Sequence, residues 1–424
     1  MADFARSAHA GVQAQLDRLS KTSPVGDRLG LERIAAVLER LGRPQDRLPP
    51  LFHVAGTNGK GSTCAFLRAA FEADGKSVHM FTSPHLVRFN ERIRIAGKLI
   101  GDEELSALLA EVIDAGAGIQ PSFFEVAAAL AILAFSRTPA DACILEVGLG
   151  GRLDATNVIE KPAACGIASI GLDHQALLGD TLGEIAGEKA AIAKPGVPLV
   201  SLAQPAEAEA AVVRVAAAAG APLLLEGRDW TFDPTLIPAL PGPHQAWNAN
   251  LAWQMIVAQD QVSVSRDAFL RGLAAARWPA RMQLLGPGPL TEMLPGRRIW
   301  LDGGHNHEAA VAMAQAMTPH APFDLIFALL QNRRVEPVLG PLAPLVRLAQ
   351  VVPIPGHDHH DPRDIAAFAQ AKIGPRETYP AFSIREAIER LAGAYARGAT
   401  DDVLIFGSLY LAGEVLAANG EIPD

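Results

Sequence analysis

Residues 53–63 read HVAGTNGKGST. An apolar lead-in, glycines at 56, 59 and 61, a lysine at 60 and hydroxyls at 62 and 63 are the parts of a phosphate cradle. At such a strand-to-helix turn, backbone N–H groups and the positive end of the helix face an anion, and the lysine adds a point charge. Gly56, Thr57, Asn58, Gly59, Lys60, Gly61 and Ser62 are therefore candidate phosphate-binding residues. The usual pattern is GxxxxGK[ST]. Here Val54 stands where its first glycine belongs, and Gly61 follows the lysine. The hydroxyl that ordinarily takes Mg²⁺ directly after the lysine is missing, so a metal ligand is expected from elsewhere. The alternative is a glycine turn with an exposed lysine; the flanking strand-like and helix-like runs favour the cradle.

Three residues at the ends of strand-like runs could supply that metal. Ser83 follows VHMFT, Glu146 ends ACILE, and His174 follows ASIGLD. In parallel sheets, ligands gather beyond the carboxyl ends of the strands. Mg²⁺ prefers oxygen, which makes an imidazole an unusual ligand. Taken singly, Ser83 before Pro84 reads as a turn and His174 after Asp173 as a loop residue; beside a phosphate loop the three read as a set. The stretch EVGLGGRLDATN, 146–157, invites a dinucleotide reading, but Leu153 occupies the third glycine position and the acidic residue precedes the glycines. Its glycines instead let the backbone approach a ligand, with Arg152 and Asp154 at the edge. In TLGEIAGEKAAIAK, Thr181 and Glu184 form a capping-box start, which places Lys189 mid-helix. On the residues alone, Lys189 reads as a solvated lysine paired with Glu184 or Glu188.

These residues need a scaffold, and the chain offers one. Strand-like and helix-like runs alternate throughout, as in a mostly parallel sheet covered by helices. A Pro/Gly-rich stretch, LLGPGPLTEMLPGRR at 284–298, interrupts the alternation, so residues 1–285 and 286–424 are expected to be separate domains. The expected fold class is α/β, with a P-loop NTPase-like, mostly parallel sheet domain followed by a smaller Rossmann-like α/β domain. The second domain reads RIWLDGG then helix HEAAVAMAQAM, FDLIFALL then helix EPVLGPLAPLVRLA, QVVPIP then PRDIAAFAQAK, and DDVLIFGS then LYLAGEVLAAN.

At 424 residues the chain exceeds one ordinary core. Net charge is −9 with no basic run, which argues against nucleic acid. The most apolar run, FFEVAAALAILAF, is too short to span a bilayer and contains Glu125. The N-terminus has no long apolar stretch of the signal-peptide kind. Three widely spaced cysteines make neither a zinc site nor a disulfide framework. A cytoplasmic protein away from membranes fits this profile.

The segments AGTNGKGS, SPHLVRFNERI, FFE, EVGLGGRLDATN, SIGLDH, GEKAAIAKPG, PARMQ and LDGGHN occur in this order. In that series the chain resembles the bacterial bifunctional dihydrofolate synthase/folylpolyglutamate synthase, a branch of the Mur ligase superfamily, over nearly its whole length. The resemblance implies an ADP-forming amide ligase. ATP would phosphorylate a pterin-linked carboxylate, and the amino group of L-glutamate would attack the acyl phosphate. The implied acceptors are dihydropteroate and reduced folates; the implied cofactors are ATP and Mg²⁺, with a monovalent cation as a further candidate. It implies Ser83, Glu146 and His174 as metal ligands, Lys189 as a carbamylated lysine, and Asn248, Arg281 and Asp302 around ATP. His305 is a weaker candidate near the phosphates. The alternative for Asp302 and His305 is a strand-to-helix turn capped by Asn306. Arg281 and Asp302, lying near and beyond the linker, imply a nucleotide clamped by both domains.

The implied pterin pocket uses Arg28, Leu29, Gly30 and Leu31, then Ser122, Phe123, Phe124 and Glu125, then Leu153, Asp154 and Ala155. Phe123 or Phe124 would face the ring, or both belong to the core. Two departures stand in the second domain: His307 replaces the usual proline after HN, and LLQNRRVEP replaces a segment that often carries Lys-Asp, leaving Arg333 or Arg334 to supply charge. Competing expectations are a single folate activity, another Mur-type ligase, or a non-catalytic nucleotide-binding regulator. A monomer is the expected state.

Overall fold

A computed structural model of the chain describes residues 5–23, 29–373, 377–395 and 402–424. It divides into two compact units, Met1–Ala239 with Gln245–Arg277, and Leu240–His244 with Trp278–Asp424. The strands of the first are β1 (Leu51–Ala55), β2 (Val78–Phe81), β3 (Ile93–Ile95), β4 (Lys98–Leu99), β5 (Ala142–Glu146), β6 (Ala164–Ile167), β7 (Leu199–Ser201) and β8 (Leu223–Leu225). They form one sheet in the order β4-β3-β2-β5-β1-β6-β7-β8. At one edge β2 pairs with β3, and β3 with β4, antiparallel; the other pairings are parallel. β1 and β5, reading LFHVA and ACILE, are buried at every residue. Near-continuous apolar runs are what a parallel strand covered on both faces requires.

The helices that matter to the site are α1 (Ala10–Thr22), α2 (Glu32–Arg40), α3 (Lys60–Ala73), α4 (Asp102–Ala115), α5 (Phe123–Arg137), α6 (Gln175–Leu178) and α7 (Leu182–Ala190). α5 carries the apolar run that could be mistaken for a membrane segment. It is buried from Glu125 to Phe135 in a core shared with α1, α2, α4 and β5. Among the described residues no helix is long and apolar enough to cross a membrane.

Register sets the geometry of the site. Phe81 of β2 lies opposite Leu145 of β5, Val54 of β1 opposite Glu146, and Ala55 opposite Ile167 of β6. The loops after β2, β5, β1 and β6 thus leave four adjacent strands at one edge, where ligands of parallel sheets collect.

The second unit holds β9 (Gln283–Leu284), β10 (Arg298–Leu301), β11 (Phe323–Phe327), β12 (Val346–Val351), β13 (Glu377–Pro380) and β14 (Asp402–Phe406). The order is β13-β12-β11-β14-β10-β9, parallel except for β9. β9 explains why residues 278–285 join this unit and not the first, where the Pro/Gly-rich stretch had suggested a boundary at 285: Gln283 and Leu284 pair with Leu301 and Trp300 of β10. The expected helix EPVLGPLAPLVRLA is short, Val335–Leu339, and the rest becomes a 3₁₀ turn and the start of β12. Pro341 and Pro344 lack the N–H that a continuing helix would use.

Candidate active site

The phosphate loop joins β1 to α3. The N–H groups of Thr57 and Asn58 donate to Ser169 O at 2.7 and 3.2 Å. Thr57 Oγ1 also donates to Gly171 O at 3.1 Å and accepts from Gly171 N at 3.1 Å. These bonds latch the loop to the chain leaving β6. The amides left to face an anion are those of the first turn of α3, which have no intrahelical partner.

Gly59 precedes that turn in a left-handed conformation, φ +89°, and a Cβ there would lie 2.3 Å from Asn248 Oδ1. Asn248 is buried and donates to Gln245 Oε1 at 3.1 Å. The structure therefore places this expected nucleotide residue directly on the loop. Gly59→Ala is expected to cost about 2 kcal/mol, about 1 from the left-handed backbone and the rest from the Asn248 collision. Gly75 has φ +76°, and a Cβ there would meet nothing within 4 Å, so Gly75→Ala should show the backbone part alone. Urea unfolding of both variants separates the two parts, and ATP titration should weaken only for Gly59→Ala.

Two lysines converge on one carbonyl. Lys60 Nζ donates to Gly56 O at 3.1 Å and to Thr57 O at 3.3 Å. Lys189 Nζ donates to the same Gly56 O at 3.1 Å. Lys189 is 4 % exposed and lies in the last turn of α7, not at mid-helix. The solvated alternative is overturned, because its proposed partners are engaged elsewhere: Glu184 closes the capping box with Thr181, and Glu188 pairs with Arg152 at 2.8 Å. Burial, with the neighbouring Lys60 charge, lowers the Lys189 ammonium to about 7, against an opposing pull from Asp154. A substantial share of Lys189 is therefore neutral amine near pH 7.

Ser83 and Glu146 meet, with Ser83 N donating to Glu146 Oε2 at 3.1 Å. His174 follows β6 at the N-cap of α6 with φ +52°, and its N–H donates to Asp173 Oδ1 at 2.6 Å. Among the described residues no group of three or more His, Cys, Asp or Glu could hold a metal ion. The expected set differs in composition: one hydroxyl, one carboxylate and one imidazole. Its oxygen donors, at the same sheet edge as the phosphate loop, suit Mg²⁺.

The glycine loop after β5 is organised by Asp154, which is 3 % exposed. Its Oδ2 accepts from Gly148 N and Leu149 N at 3.0 and 2.9 Å, and its Oδ1 from Thr156 N at 2.9 Å. Burial pushes the Asp154 carboxyl up, opposed by these hydrogen bonds to the anion. Leu153 is half-buried and Ala155 buried beside it. A Cβ at Gly148 would lie 2.3 Å from Phe124 Cζ, so Phe124 rests on this loop. Phe123 turns instead to Phe89, with ring centroids 5.7 Å apart, and to the Arg92 guanidinium, 5.5 Å from its centroid.

Ser122 and Glu125 cap α5. Glu125 Oε2 accepts from Ser122 N at 2.7 Å and from Arg33 Nε at 3.0 Å. Arg33, on α2, ties the start of α5 to the segment Leu29-Gly30-Leu31 just before α2. Sequence reasoning misses it because nothing marks a lone helix arginine whose partner is 92 residues away. Arg28 lies outside the described residues.

In the second unit, Asp302 follows β10. Its Oδ2 accepts from Met282 N at 2.8 Å and its Oδ1 from Gly304 N at 2.7 Å. His305 Nδ1 sits 3.1 Å from Gly303 O, and Asn306 Oδ1 caps the next helix, accepting from Ala309 N at 3.0 Å. Arg281 Nη1 donates to Ala280 O at 2.9 Å and would lie 3.3 Å from a Cβ at Gly303. His244, unforeseen from sequence, joins this cluster. Burial lowers its imidazole, Asp302 raises it and Arg281 lowers it, while Nδ1 is buried without a hydrogen bond.

A family model described as dihydrofolate synthetase, C-terminal domain, matches residues 295–418. The dihydrofolate synthase/folylpolyglutamate synthase of Bacillus subtilis (strain 168) is 33% identical over 403 residues, covering 83% of this chain and 91% of that protein. The chain belongs to the dihydrofolate synthase/folylpolyglutamate synthase family. Escherichia coli FolC in complex with DHPP and ADP superposes with a TM-score of 0.85 at 29% identity, over 97% of this chain and 98% of that one. A bifunctional folylpolyglutamate synthase/dihydrofolate synthase with Mn, AMPPNP and L-glutamate bound gives a TM-score of 0.84 at 29% identity, over 98% and 99%. As a member of this family the chain is an ATP-dependent ligase that forms carbon–nitrogen bonds, and its two mostly parallel sheets are those of the family fold.

Proposed function

We propose that this ligase adds L-glutamate both to dihydropteroate and to reduced folyl(poly)glutamates. The acceptor carboxylate oxygen attacks the γ-phosphorus of ATP, and ADP leaves. The glutamate amino nitrogen then attacks the acyl carbonyl, forming the amide, while phosphate departs with the former carboxylate oxygen and the ammonium protons go to solvent. Joining an anionic carboxylate to an anionic phosphate requires charge neutralisation above all. The observation that carries the reading is the meeting of Lys60 and Lys189 at Gly56 O, inside the phosphate loop.

In this reading Gly56, Thr57, Asn58, Gly59, Gly61 and Ser62 shape the phosphate cradle and Asn248 holds it from behind. Arg281, Asp302 and His305 serve the nucleotide from the second unit, which also takes glutamate. Ser83, Glu146 and His174 would hold Mg²⁺, which supplies further positive charge to the phosphates. Lys189 would be carbamylated: its neutral amine adds CO₂ and releases a proton, giving an anionic oxygen ligand of the kind Mg²⁺ prefers. Leu29, Gly30 and Leu31, with Ser122, Phe124, Leu153, Asp154 and Ala155, wall the pterin pocket. A monovalent cation, a monomeric state and a cytoplasmic setting complete the reading.

The test is incubation with ATP, Mg²⁺, L-glutamate and either dihydropteroate or tetrahydrofolate, with mass spectrometry for one added glutamyl residue and ADP measured alongside. Product from both acceptors is expected. Product from one restricts the enzyme to that activity. ATP binding with no product from either sinks the folate acceptors.

A further inference from the structure

Beneath the glycine loop runs a buried chain of hydrogen bonds that ends in a residue outside the expected site. His53 sits at the centre of β1, three residues before Gly56, with no exposed surface. Its Nε2 lies 2.8 Å from Thr156 Oγ1, and Thr156 Oγ1 lies 2.5 Å from Asp154 Oδ1. An ionised carboxylate only accepts, so the threonine hydrogen points to Asp154. Thr156 Oγ1 is then an acceptor towards His53, and Nε2 must carry the imidazole hydrogen. His53 Nδ1 is buried with no hydrogen-bond partner; with the hydrogen on Nε2 this leaves a lone pair unused there, whereas the other tautomer would leave an N–H unpaired. Burial, with the nearby Lys194 charge, lowers the imidazole to about 3, so it stays neutral near pH 7. The chain of donors runs one way, His53 to Thr156 to Asp154.

At its far end Asp154 Oδ2 holds the amides of Gly148 and Leu149, the turn on which Phe124 rests. We propose that His53 and Thr156 are positioning residues for the pterin acceptor: they fix the Asp154 carboxylate, and with it the 148–155 turn, from below. This rests on the reading of that turn as a wall of the acceptor pocket. An apolar side chain could fill the place of His53 without leaving a nitrogen unpaired; what it could not do is donate to Thr156.

Steady-state assays of His53→Leu, His53→Gln, Thr156→Val and Thr156→Ser, varying dihydropteroate and ATP in turn, test the proposal. Glutamine offers an amide N–H in place of Nε2–H, and serine keeps the hydroxyl. The leucine and valine variants are expected to raise KM for dihydropteroate about tenfold, the scale of one lost hydrogen bond, between neutral groups for leucine and to the carboxylate for valine, with KM for ATP within about twofold. The glutamine and serine variants should stay near wild type. The double variant His53→Leu/Thr156→Val should be no worse than either single one, as for members of one network.

Equal rises in both KM values, or a glutamine variant as impaired as leucine, would reduce His53 to core packing and overturn the proposal. Spectra of ¹⁵N-histidine-labelled enzyme give a readout free of turnover. The His53 signal, identified by its loss in His53→Gln, should be the neutral Nε2–H form at neutral pH; Nδ1–H or a doubly protonated ring overturns the donor chain. The expected tautomer in a protein that takes no dihydropteroate would overturn the acceptor assignment, and the positioning role with it, while the donor chain stood.

Discussion

Lys60→Met lowers kcat/KM for ATP by about 10³- to 10⁴-fold, the scale seen when a charge that neutralises a transferring phosphoryl group is removed. Methionine keeps the length and the apolar stem and deletes the ammonium. Lys60 is half-buried at the first position of α3; the variant also loses the hydrogen bonds to the Gly56 and Thr57 carbonyls, and urea unfolding separates that structural cost from the loss of rate. Lys60→Arg should not restore the rate, because a planar guanidinium cannot stand in for a compact point charge between the Gly56 and Thr57 carbonyls. The measurement is ADP release in the presence of glutamate and acceptor. A loss of tenfold or less would remove Lys60 from the centre of the chemistry.

Lys189→Met should lower kcat by about 10²- to 10³-fold, as loss of one preorganised electrostatic group does, and should also change how stability depends on pH. The sign follows from the lowered ammonium. Below about pH 7 the lysine is protonated both folded and unfolded, and the fold carries the full burden of a buried cation. Between about 7 and the ordinary 10.5 the unfolded chain binds a proton that the folded chain does not, so stability rises with pH, by up to about 1.4 kcal/mol per unit. Above 10.5 the contribution is flat. Urea unfolding at about pH 7, 8.5 and 10 should show this rise in wild type and lose it in Lys189→Met. Turnover of wild type should also fall in CO₂-depleted buffer and recover on adding bicarbonate, whereas the residual turnover of the variant should ignore both. Unchanged wild-type turnover without CO₂ would exclude the carbamate and leave Lys189 as a second ammonium beside the phosphates.

The phosphate loop was legible because its parts are contiguous: strand, glycines, lysine and helix start are adjacent in the chain. The nearness of Ser83 to Glu146 was legible for a related reason, since strand ends can be read one at a time and a parallel sheet brings such ends to one edge. What escaped reading depends on pairing across distance. Lys189 looked solvated because Glu184 and Glu188 are its sequence neighbours, yet it reaches a carbonyl 133 residues away. His53 and Thr156 are 103 residues apart and neither type stands out alone. Phe123 and Phe124 are adjacent and chemically identical, and only the packing sends one to the glycine loop and the other to Phe89 and Arg92. In the second unit β9 was passed over because two residues carry no periodicity, and the helix before β12 was overextended because its apolar spacing outweighed Pro341 and Pro344.

The place of β1 in its sheet has one more consequence. It is held on both edges, by β5 and β6, and every one of its residues is buried. Amides in such a strand exchange with solvent only through the largest openings of a domain. The loop that follows β1 is therefore rooted in a strand expected to be among the slowest to exchange in the first unit, and local fraying does not reach its base. Under the proposed function, the fluctuations that admit and release substrates are expected in the surrounding loops, while the base of the 56–62 loop keeps its shape.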